Sequence, residues 1–149
     1  MKAKSLLPLC LAVLLLVSVV VIAGCGSKAV AAPTQEAKTK LSTALNAFDM
    51  SAGAITTAFA SGKDGTVAAT IKAAKADIKA KWDAVVDAAQ AFTWADKDLA
   101  GSTWSTVAKA IDSLPDNASV ADAKATLTGP VDGLMGLEAE LWSLAEGTK

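Results

Sequence analysis

The sequence predicts an all-α fold, an antiparallel four-helix bundle, and three observations carry that expectation. Apolar residues after position 34 recur at spacings of three and four over four separate stretches, the period of a helix with one buried face. Short segments rich in Gly, Pro, Asp and Asn separate the stretches, so sequential helices are antiparallel neighbours. Alanine fills many of the intervening positions, and it has the highest helix propensity.

The first helix begins after Pro33, with Thr34 as N-cap and Glu36 facing the positive helix end. Leu41, Leu45, Phe48, Ile55 and Phe59 form its stripe, Ala52 filling the gap, to about Ala60. Ser61-Gly62-Lys63-Asp64-Gly65 makes the turn, with Asp64 or Thr66 capping the next helix. That helix runs from about Thr66 to Thr93 on Val67, Ile71, Ala74, Ile78, Trp82, Val85, Ala89 and Phe92. A third, shorter helix from about Leu99 to Leu114 carries Trp104, Val107, Ile111 and Leu114, and Pro115 stops it.

Ser119-Val120-Ala121-Asp122 resembles a capping box and opens the fourth helix, which reaches about Ala145. Gly129-Pro130 interrupts it, yet Val120, Leu127, Val131, Leu134 and Leu141 keep one stripe across the proline. A kink that preserves the face is therefore expected, with two separate helices as the alternative. The similar openings Thr66-Val67-Ala68 and Ser119-Val120-Ala121 hint at an internal repeat, though two capped helices look alike without one. The third helix spans only about 24 Å, so one end of the bundle needs a cover.

Ahead of the bundle, Lys2 and Lys4 precede an apolar run from Leu6 to Ile22, the pattern of a secretory leader. The run ends in Ile22-Ala23-Gly24-Cys25, which resembles the lipobox of bacterial lipoproteins. The resemblance implies cleavage before Cys25 and acylation of that cysteine, with fatty chains such as palmitate. It divides the chain into a leader at 1–24, a lipidated cysteine and tether at 25–34, and a bundle domain at 35–149. It also implies an extracytoplasmic, lipid-anchored protein, on the outer membrane of a Gram-negative cell or the plasma membrane of a Gram-positive one. Two other readings stay open: an uncleaved membrane anchor, since the run is long enough to span, or cleavage at Ala29-Val30-Ala31 and release.

Removing Lys2 and Lys4 leaves twelve lysines against fifteen acidic residues, a net charge of −3. With no arginine and no clustered cations, nucleic-acid binding is not expected. Histidine is absent, which excludes Glu-x-x-His di-iron sites, histidine-ligated haem, and Ser-His or Cys-His catalysis. With Cys10 in the leader, Cys25 is the one thiol left after cleavage, so neither a disulfide nor a zinc thiolate site is expected. Asp96, Asp98 and Gly101 match part of a calcium loop, but Ala100 and Val107 stand where ligands are required. No cofactor and no metal are expected.

Asp83 with Asp87, and Asp112 with Asp116, stand four apart, but lie in charged or terminal segments where solvation is the plain reading. Asn117-Ala118-Ser119 fits a glycosylation sequon and is better explained by capping. Trp82 and Trp104 fall on the stripes and read as core. Trp94 in a linker and Trp142 beside the stripe are the candidate interaction residues: exposed, they mark a contact patch; buried, they cover the open bundle end. The expected role is non-enzymatic, an interaction or structural module contacting the membrane through Cys25 and an envelope protein or a second copy through its helices. The alternative is a binder of a small apolar or amphipathic ligand in a bundle pocket near Pro130.

Overall fold

The computed structural model describes residues 32–147; the leader, Cys25 and most of the tether lie outside them. Four helices follow in order: α1 (Gln35–Ser61), α2 (Val67–Ala89), α3 (Lys97–Asp112) and α4 (Val120–Glu146). Each packs on its neighbours in sequence and α4 closes on α1, while α2 and α4 touch across the middle. The result is an antiparallel four-helix bundle. None of the described helices is long and apolar enough to cross a membrane.

Local chemistry sets the helix ends. The Thr34 hydroxyl accepts from the Ala37 N–H at 3.1 Å, as the sequence suggests. At the far end of α1 the Gly62 N–H donates to the Ala58 carbonyl, an approach so close that a Cβ on Gly62 would lie 2.1 Å from that oxygen. The left-handed residue of this turn is Gly65 (φ +79°), where only glycine avoids strain.

Asp64 caps a different helix from the one expected. Its Oδ1 accepts from the Val120 N–H at 2.8 Å, serving the N-terminus of α4, while Thr66 makes no side-chain capping bond to α2. The Gly65 N–H also donates to the Ala118 carbonyl, so the α1–α2 and α3–α4 loops are joined at one end of the bundle. An orphaned helix donor costs about 1 kcal/mol. Asp64→Ala is therefore expected to lower urea-unfolding stability by that amount, and an unchanged midpoint would count against the clamp.

Ser119 and Asp122 form the expected capping box. Because Ser119 is boxed and Thr66 is not, the two similar openings are built differently. Downstream, α4 runs as one helix through Pro130. Proline removes a helical hydrogen bond at a cost of about 3 kcal/mol. Leu127 and Leu134, buried on either side, offset it with roughly 2 kcal/mol each. Tertiary packing thus keeps the helix whole.

The core follows the stripes closely. Leu41, Leu45, Phe48 and Ile55 of α1, Ile71, Ile78, Trp82 and Val85 of α2, Val107 and Ile111 of α3, and Leu127, Leu134 and Leu141 of α4 are buried. Trp82 meets Phe48 at 5.2 Å between ring centroids, and its Nε1–H donates to the Ala100 carbonyl on α3 at 3.3 Å. Two differences stand at the edges. Ala58 takes the buried place at the end of α1, leaving Phe59 part-exposed with Lys124 over its ring. And α2 stops at Ala89 rather than Thr93, although Phe92 beyond it stays buried.

That early stop answers the mismatch in length. The sixteen residues of α3 leave the end of the bundle short, and the connector brings Phe92 and Trp94 inward there. Trp94 lines a hollow together with Glu140 and Leu144 near the C-terminal end of α4.

Candidate functional site

Cys25, the expected lipidation site, lies outside the described residues. Within them the unusual chemistry sits on the seam between α1 and α4. The apolar stripe of α4 passes from Leu134 to Leu141, and the position on that face between them, four after one and three before the other, is Glu138. It is 4% exposed, the buried charged side chain of the core.

Two groups act on its carboxyl. One turn on, the indole Nε1–H of Trp142 donates to Glu138 Oε1 at 3.1 Å. Across the seam, the Asp49 carboxylate of α1 shares a hydrogen bond with it. Burial, and then this hydrogen bond and the negative charge of Asp49, push the Glu138 carboxyl from 4.5 up to about 7, against a smaller downward pull from Trp142. A carboxylate destabilised by burial and by a like charge holds its proton. The raised value favours a protonated Glu138 beside Asp49, with a proton exchangeable near neutral pH. The spacing puts 138 on the stripe between Leu134 and Leu141, where an apolar residue is the rule. The signal that marks it is a glutamate in register with leucines, one turn before a tryptophan.

The two candidate interaction residues do not form an exposed pair. Trp94 is buried, with its Nε1–H lacking a hydrogen-bond partner. Trp142 is half-buried against the core and bonded to Glu138. Their position fits the covering role more closely than the contact patch. Among the described residues, the exposed large apolar side chains are instead Met50 at 85% and Leu99 at 50%. Trp82 and Trp104 are both core.

The paired aspartates are divided among lysines. Asp112 is held by Lys75 at 2.7 Å and Asp116 by Lys72 at 2.8 Å, stitching α2 to the end of α3 and to the loop after it. The hydrogen bond and charge of Lys72 keep the Asp116 carboxyl below its ordinary value. Asp83 is paired with Lys79 along α2. Asp96 and Asp98 open α3 as N-cap and first-turn residues. Among the described residues no three His, Cys, Asp or Glu side chains are placed to hold a metal ion.

An open groove of about 800 Å³ runs between the first half of α1 and the second half of α2. Ala44, Ala47, Ala84 and Ala88 line it together with Lys40 and Lys81; Pro130 is not among its lining residues. Compared with family models, curated proteins and solved structures, the chain finds no match.

Proposed function

We propose that this chain is a lipid-anchored protein of the bacterial cell envelope, held outside the cytoplasm by acylated Cys25, with a non-enzymatic interaction or structural role. The observation that carries the reading is Ile22-Ala23-Gly24-Cys25 at the end of the Leu6–Ile22 apolar run. A tether of eight residues, 26–33, spans at most about 28 Å, so the bundle works close to the bilayer. Several acyl chains on one cysteine make a stable anchor where a single chain is marginal. The lack of histidine and arginine removes imidazole catalysis and bidentate guanidinium recognition of phosphate.

A second reading, a binder of small amphipathic molecules, draws support from the α1–α2 groove, whose alanines offer apolar surface beside the Lys40 and Lys81 ammonium groups. Native mass spectrometry of protein extracted from its own membrane tests both. The first reading expects a chain beginning at Cys25 with the added mass of acyl groups, and an unmodified chain beginning near Ala32 overturns it. A co-purifying small molecule favours the second. Cys25→Ser is expected to leave the bundle folded by circular dichroism and to move the protein from the membrane to the soluble fraction.

A further inference from the structure

The centre of α4 is weak as a helix. Gly129, Pro130, Gly133 and Gly136 fall within eight residues. Each interior glycine costs about 1 kcal/mol relative to alanine and the proline about 3. A Cβ at Gly129 or Gly136 would meet no atom within 4 Å, so tight packing is not what places glycine there. This segment stays helical through its buried leucines, Leu127, Leu134 and Leu137, and Glu138 comes directly after the last of them.

We propose that Glu138, Asp49 and Trp142 form a proton-held latch: with Glu138 protonated, α4 closes on α1, and with Glu138 ionised, residues 129–138 of α4 loosen from the bundle. In the closed state the Glu138 carboxyl donates to the Asp49 carboxylate and accepts from the Trp142 indole. Loss of the proton removes the donor and leaves two like charges facing each other, one of them on a side chain shielded from water. The groups that act on the Glu138 carboxyl come from α1 (Asp49) and from α4 itself (Trp142); none from α2 or α3 offsets the charge. Strain at 138 is released where the helix resists least, in the glycine-rich turns before it. The loosened segment uncovers Leu134 and Leu137, an apolar surface available when the surroundings turn alkaline and closed when they are acidic.

Native-state hydrogen exchange on the purified protein, followed by NMR from pH 5.5 to 8.5 and corrected for the chemical exchange rate, tests the latch. Protection of the amides in 129–138 is expected to fall about tenfold or more across that range, while the amides of α2 lose far less. Glu138→Gln, which keeps the shape and cannot ionise, is expected to keep protection level with pH. Asp49→Asn, which removes a charge that raises the Glu138 carboxyl, is expected to shift the fall to lower pH while leaving the acid-side protection intact, and a shift to higher pH would count against the latch. Constant protection in the native chain, an equal loss in all four helices, or an undiminished loss in Glu138→Gln would each overturn the proposal.

Discussion

Glu138→Gln is expected to stabilise the bundle at pH 8 and to leave it nearly unchanged at pH 4. In the unfolded chain Glu138 ionises near 4.5, and in the folded chain near 7. Below 4.5 both states carry the proton and its contribution is fully present. Between 4.5 and 7 the unfolded state gives up the proton while the folded state retains it, so stability falls as pH rises. Above 7 the folded state also holds a buried carboxylate, and the loss is complete. The interval corresponds to roughly 3 kcal/mol, which solvent reaching the exposed Asp49 side of the pair screens to about 2 kcal/mol. Urea unfolding of both proteins at pH 4, 6 and 8 measures the difference. Parallel pH profiles would mean that Glu138 is not titrating in this window. Asp116 works in the opposite sense: its lowered value favours the folded state at neutral pH, and that help is lost on acidification. Its full exposure keeps it a surface effect.

The second large effect is expected at Trp82. Its side chain is 1% exposed, tilts 55° against Phe48 and donates to the Ala100 carbonyl, so it joins α1, α2 and α3 at one point. Trp82→Ala removes the packing and leaves a cavity, at a cost of about 3 to 5 kcal/mol. That is a large share of the 5 to 15 kcal/mol typical of a whole domain. Trp82→Phe keeps most of the contact and loses chiefly the hydrogen bond, about 1 kcal/mol. Urea denaturation ranks the three proteins, and an alanine variant within 1 kcal/mol of the native chain would show the indole to be dispensable.

Periodicity was a sound guide to the bundle because burial of an apolar face is a property of spacing along one helix. Leu41, Leu45 and Phe48, or Trp104, Val107 and Ile111, declare their common side before any partner is known. Caps made within one segment were equally legible: Thr34, and Ser119 with Asp122, need only the backbone two or three residues on.

Features that depend on a second segment were not legible. Asp64 caps α4 across fifty-six positions, and nothing in Ser61-Gly62-Lys63-Asp64-Gly65 indicates which helix it serves. Lys75 and Lys72 take Asp112 and Asp116 from what resembled an aspartate pair. Trp94 in its linker could be exposed or cover the open bundle end, and the shortness of α3 leaves a place for it beside the end of α4. Pro130 left the choice between one helix and two to the burial of Leu127 and Leu134.

What the sequence by itself determined is therefore one-dimensional: the number of helices, the face each buries, the caps made within a segment, and the chemistry removed by lacking histidine and arginine. Tertiary structure decided the meetings between segments, above all that a buried Glu138 is brought against Asp49 of α1. A carboxyl's proton affinity depends on the dielectric and the charges within a few ångströms. Those surroundings exist only once α4 has closed on α1.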